Sequence, residues 1–67
     1  MKTYIKALRK EQGLSQAELA RELGVTRQTI ISIENERYTA SLVLAYRIAR
    51  FFDKTIEDVF DFSDLEE

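Results

Sequence analysis

The sequence predicts a mainly α-helical fold of five short helices, and three features carry that prediction. Apolar residues recur at the spacing of one helix face, most clearly at Leu42, Ala45, Ile48, Ala49 and Phe52. Helix punctuation is dense: Ser15, Thr26, Ser41 and Thr55 stand where N-caps are wanted, and Gly13 and Gly24 stand where helices end. Only Phe60-Asp61-Phe62-Ser63 alternates with period two, a strand signal.

Taken in chain order, the first helix is expected from about Thr3 to Gln12, with Ile5 and Leu8 on one face and Gly13 as its left-handed end. Ser15 opens the second. Ser15-Gln16-Ala17-Glu18 has the form of a capping box, in which two side chains satisfy two free backbone N–H groups. Leu19, Ala20 and Leu23 form the inner face of this helix, and Gly24 ends it. Thr26 caps the third helix only two residues later, with Val25 and Ile30 at the two positions of a hydrophobic staple. Ser41 caps a fourth helix reaching about Phe52, and Thr55 with Asp58 caps a fifth through about Phe60. The period-two stretch from Phe60 would need a strand partner, and Met1 to Tyr4 is the candidate for a two-stranded terminal ribbon.

At 67 residues the chain is expected to form one domain, 1–67, with a small core. It has no cysteine and no histidine, so a disulfide, a thiolate zinc site and a histidine base are all excluded. No cofactor or metal is implied. Ser15 and Ser41 read as caps and Ser32 as a surface hydroxyl, with no activated nucleophile beside them, so catalysis is not expected. No apolar stretch approaches a membrane span and no signal-peptide pattern opens the chain, so a cytoplasmic, membrane-free protein is the expectation. The net charge of −2 conceals a division. Residues 1–52 hold nine Lys/Arg against five Asp/Glu, +4, and residues 53–67 hold one Lys against seven Asp/Glu, −6. Docking on phosphate depends on the local field, which the basic body supplies; the acidic end reads equally as a solubilising segment.

The third helix carries the functional signal. Wound at 100° per residue, Ile30 and Ile33 share a buried face with Glu34 at its border. Gln28, Ile31, Ser32 and Asn35 lie on the opposite side, with Arg27 at the N-terminal edge. An amide, a guanidinium, a hydroxyl and one aliphatic branch are the groups that read base edges in the major groove of DNA. An ordinary polar helix face with one exposed isoleucine would show the same pattern. The context adds weight: two short helices meet at a tight turn, with a small residue at Ala20 for close crossing and Gly24 for the sharp bend.

The stretch GLSQAELARELGVTRQTIISIENERY, followed by SLVLAYRIARFF, resembles the Cro and phage-repressor helix-turn-helix family of transcriptional regulators, most of all its compact single-domain members. The likeness covers about residues 4–60 and implies a five-helix, lambda-repressor-like DNA-binding domain. It implies that Gln16 holds a phosphate, that Arg27, Gln28, Thr29 and Ser32 face bases or adjacent phosphates, and that Asn35 and Arg37 grip the DNA backbone. It also implies a pairing of Arg9 with Glu34, which suits a carboxylate at the edge of a buried face. Loss of Arg9 is then expected to weaken the fold without touching the DNA face. The sequence departs from the family where many relatives have glycine at the position of Glu36, proline at Ala40 and a polar residue at Ile31. These departures bear on DNA affinity and target rather than on the core.

The fourth helix and the C-terminal segment carry more apolar side chains than one small core needs. Leu44, Phe51, Val59, Phe60 and Phe62 are expected to form a homodimer seam, which would let two recognition helices read an inverted repeat. The leading expectation is a sequence-specific regulator of double-stranded DNA, acting as a repressor. The competing one is a protein-interaction module, such as an antitoxin or accessory subunit, whose acidic end and apolar seam hold a different protein.

Overall fold

A computed structural model describes residues 2–63. Met1, expected in the ribbon, and residues 64–67, the end of the acidic segment, lie outside the described residues. The elements are β1 (Lys2–Thr3), α1 (Ile5–Glu11), α2 (Gln16–Leu23), α3 (Arg27–Glu34), α4 (Leu42–Phe51), α5 (Ile56–Val59) and β2 (Phe60–Asp61).

Each helix from α2 onward begins where a hydroxyl can take a free backbone N–H. Ser15, Thr26, Ser41 and Thr55 accept from the N–H groups of Glu18, Thr29, Leu44 and Asp58, and the Ser15 and Thr55 caps are reciprocal boxes. The first helix starts two residues later than its sequence pattern suggests. Thr3 belongs to β1 and its Oγ1 accepts the Ile5 N–H at 3.2 Å. The ribbon is antiparallel, with Lys2 opposite Asp61 and Thr3 opposite Phe60, and Tyr4 N–H donates to the Val59 carbonyl at 2.8 Å to tie it to α5.

The four longer helices all close with the same hydrogen-bond pattern, in which two successive residues just past the helix turn back onto its last carbonyls. Leu14 and Gly13 bond Arg9 and Lys10, Val25 and Gly24 bond Ala20 and Arg21, Arg37 and Glu36 bond Ser32 and Ile33, and Lys54 and Asp53 bond Ala49 and Arg50. The motif requires a left-handed residue. Gly13 and Gly24 supply it freely, whereas Glu36 (φ 62°) and Asp53 (φ 57°) adopt it against the steric cost of a Cβ. Glu36→Gly is therefore expected to stabilise the fold by about 0.5–1 kcal/mol, the relieved strain less the greater freedom of glycine in the unfolded chain. Thermal unfolding should show a melting temperature raised by roughly 3–6 °C; a decrease would mean that Glu36 makes a compensating contact.

One apolar cluster joins all five helices. Ile5, Leu19, Ile30, Ile33, Ile48 and Val59 are fully buried at its centre, and Ala20 and Ala49 keep the crossings close. The inward stripe of α4 differs from the expected one. Leu44 is buried and Leu42 is 77% exposed. Leu42 is the first residue of α4, and helical side chains lean toward the N-terminus, so it projects past the end of the packed surface. Leu44, Val59 and Phe60, expected in a seam between two copies, are instead consumed by the core of a single chain. The reason is that β2 folds back beside α5 and brings Phe60 inward. Phe51 and Phe62 pack against the same core half-buried. Among the described residues, the large apolar side chains left exposed are Tyr4, Tyr38, Leu42, Val43 and Tyr46.

Candidate nucleic-acid interface

Helices α2 and α3 pack directly on each other across the turn at Gly24 (φ 71°). Three features fix the pose of α3. Ile30 and Ile33 anchor its inner face with no exposure, Thr26 holds its first turn, and Glu34 locks its last. Ile31 is only half-buried, as the winding of the helix requires.

The lock at Glu34 is an ion pair with Arg9. Arg9 Nε donates to Oε2 at 2.7 Å and Nη2 donates to Oε1 at 3.1 Å, while Nη1 donates to the Leu14 carbonyl at 2.9 Å. The side chains are 9% and 3% exposed, so the fork is shielded from water. Burial raises the pKa of the Glu34 carboxyl, but hydrogen bonds from Arg9 and Gln16 outweigh it and hold the group below the ordinary carboxylate range. The hydrogen bond to Glu34 likewise raises Arg9. The pair joins α1 to the end of α3.

The outward side chains expected to meet DNA fall into two groups. Gln28, Arg27 and Asn35 are exposed, Thr29, Ile31 and Ser32 are half-buried, and Gln28 Nε2 donates to Ser32 Oγ at a long 3.5 Å, a one-turn contact along the outer face. Arg37 lies exposed just beyond the helix end. Gln16 is placed differently from a free phosphate clamp. Its Nε2 donates to Glu34 Oε1 at 3.1 Å and its Oε1 accepts from Arg27 Nη2 at 3.4 Å. Gln16 thus links the Arg9–Glu34 pair to Arg27 at the N-terminal edge of α3.

Two residues not singled out in the sequence belong to the same region. Tyr38 lines a shallow depression together with Thr26, Gln28, Thr29 and Ser32. Its signal was an aromatic residue left over after the core was counted. Arg47 reaches from α4 to the α2–α3 turn, with its Nη2 3.6 Å from where a Cβ on Gly24 would stand. No sequence signal connects those two positions. Among the described residues no group of His, Cys, Asp or Glu is arranged to hold a metal ion, and no helix is long and apolar enough to cross a membrane.

A helix-turn-helix family model matches residues 5–59. The chain belongs to the helix-turn-helix family, of the Cro and phage-repressor type. It is 57% identical over 61 residues to a protein of Methanothermobacter thermautotrophicus named as an uncharacterized HTH-type transcriptional regulator, covering 90% of this chain and 88% of that one. Proteins with the same description from Archaeoglobus fulgidus and Bacillus subtilis are 48% and 47% identical, over 98% and 90% of this chain and 94% and 91% of theirs. The similarity, with the α2–α3 unit inside it, extends over nearly the whole length of these relatives, and the family is one of regulators, not enzymes.

Proposed function

We propose that this helix-turn-helix protein is a cytoplasmic, sequence-specific regulator of transcription. In this reading it is a repressor that binds an inverted repeat in double-stranded DNA as a homodimer, with α3 in the major groove. The observation that carries the reading is the two-sided character of α3. Its inner face is fixed by Ile30, Ile33 and the Glu34 lock, while Gln28, Ile31 and Ser32 on the other side have no work in the core. A rigid helix with an amide, an aliphatic branch and a hydroxyl facing outward suits readout of base edges. Gln16, Arg27, Asn35 and Arg37 surround that face and suit contact with phosphates, the contacts that set register without sequence preference.

A two-fold partner would meet α4 at its exposed N-terminal end rather than at the buried residues. Leu42, Val43 and Tyr46 are 77%, 69% and 56% exposed, beside an apolar groove lined by Ala40, Ala45, Ile56 and Phe62. Such a dimer would space two recognition helices about 34 Å apart, one turn of B-DNA. Those same exposed residues favour a second reading, a module whose α4 face holds a different protein.

Selection of bound sequences from a random duplex pool, followed by titration at several salt concentrations, tests the proposal. An inverted-repeat preference that weakens steeply with salt is expected. Sedimentation equilibrium at micromolar concentration should give twice the chain mass, and Val43→Lys should return it to the monomer. A monomer mass for the wild type removes the inverted repeat. Absence of any preferred duplex gives the lead to the protein-binding module.

A further inference from the structure

The buried ion pair and the outer face of α3 are joined by a directed chain of hydrogen bonds. Arg9 donates to Glu34, Gln16 Nε2 donates to the same carboxylate, and Arg27 Nη2 donates to Gln16 Oε1. The chemistry of the end groups fixes every link. A carboxylate only accepts and a guanidinium only donates, so an amide lying between them has a single orientation, nitrogen toward Glu34 and oxygen toward Arg27. Nothing else among the described residues accepts a hydrogen bond from the Arg27 guanidinium.

We infer that Glu34 is a positioning residue for the DNA face: through the Gln16 amide, its carboxylate sets where the Arg27 guanidinium stands at the start of α3. The inference rests on the DNA-binding reading above and adds a specific role to a residue that does not itself meet DNA. With its side chain 3% exposed, Glu34 is too enclosed for direct contact. An arginine already restrained near its working position loses less side-chain freedom on docking than one sweeping through solvent.

The role depends on the carboxylate being an acceptor only, which distinguishes it from a structural filler. In Glu34→Gln the new amide keeps the shortest bond, from Arg9 Nε at 2.7 Å, only with its oxygen in the place of Oε2, and its N–H2 then stands in the place of Oε1, facing Gln16 and Arg9 Nη2. The Gln16 amide must reverse to accept it. Reversal points the Gln16 nitrogen at Arg27, two donors face each other, and the guanidinium is released. Size and packing change little.

The full-length wild type, Gln16→Ala, Glu34→Gln and the double variant should be titrated against the duplex selected by the wild type, at a temperature where circular dichroism shows each fully folded. Glu34→Gln is expected to weaken binding about fivefold, the size of one ordinary hydrogen bond. Gln16→Ala should cost at least as much, and adding Glu34→Gln to it should cost nothing further. Losses that multiply would overturn the inference while leaving the DNA-binding reading intact. Failure of the wild type to prefer any duplex would overturn that reading and the inference with it. A readout free of both DNA and variants comes from the Gln16 side-chain amide in the wild-type NMR spectrum. One of its two protons should exchange slowly with water and be shifted from the position of a free glutamine amide; two protons that exchange as fast as those of an exposed glutamine would overturn the inference even if Glu34→Gln does not fold.

Discussion

Arg9→Ala is expected to destabilise the protein by about 3–5 kcal/mol, the range for removing one partner of a buried ion pair. A chain of this size has roughly 3–10 kcal/mol to lose, so the variant should be largely unfolded near its wild-type melting temperature. Three acceptors each lose a bond from Arg9 at once: both oxygens of Glu34 and the Leu14 carbonyl. Only the Gln16 amide would remain on the stranded carboxylate. Replacing both partners with apolar residues, as in Arg9→Met with Glu34→Leu, should recover most of the loss, because no buried charge is then left alone. Thermal unfolding of the two single variants and the pair decides this. Small, independent effects would mean that the interaction is no stronger than a surface contact.

The same pair gives the acid limb of stability its sign. Glu34 titrates below its ordinary value when folded, because hydrogen bonds from Arg9 and Gln16 outweigh the effect of burial. A depressed carboxyl contributes stability that is fully present above the unfolded value, about pH 4.3, and is lost as pH falls through the folded one. Glu18 and Asp58 act in the same direction, each lowered by the backbone N–H of the cap it completes, Ser15 or Thr55. Unfolding followed from pH 7 down to pH 2 should therefore show stability falling below about pH 4.3, and Glu34→Gln should flatten that fall.

What could be read in the sequence was what chemistry fixes locally. Ser15, Thr26, Ser41 and Thr55 each cap a helix because a hydroxyl at that spacing satisfies a free N–H wherever the rest of the chain goes. Ile30 and Ile33 were separable from Ile31 because at about 100° per residue the first two lie roughly 60° apart while Ile31 stands roughly 160° from Ile33. The misreadings concern what only three-dimensional closure decides. Periodicity admits both Leu42 and Leu44 to the inner side of α4, and only the end of the neighbouring helices shows which overhangs. Val59 and Phe60 looked surplus because the capacity of the core cannot be counted until β2 is placed. Asp53 carries no glycine-like mark, yet it takes the left-handed position that a helix end followed by the Thr55 cap demands. Gln16 and Glu34 are eighteen residues apart, and no local pattern announces their bond.

Gln28→Ala and Arg37→Ala are expected to weaken DNA binding in two different ways. Gln28 sits on the outer side of the first turn of α3, exposed, with Ser32 one turn below it and Tyr38 across the same depression. An amide both donates and accepts, which matches the adjacent acceptor and donor on the edge of adenine. Its loss should cost about 1–3 kcal/mol at one position per half-site and relax the preference there alone. Arg37 follows Glu36 beyond the end of α3, exposed, where its charge can approach phosphate without a place on the outer face of the helix. Its loss should weaken every sequence alike and reduce the salt slope by about one per bound subunit. Ile31 offers an independent check on the pose, because an aliphatic branch beside a thymine methyl makes binding sensitive to replacement of that thymine by uracil. Titration of the wild type and the three variants, Gln28→Ala, Ile31→Ala and Arg37→Ala, against single-site changes in the selected duplex separates these roles. Should Gln28→Ala weaken all sequences equally while Arg37→Ala alters preference at one base, the roles are reversed, and the C-terminal end of α3, rather than its first turn, enters the groove.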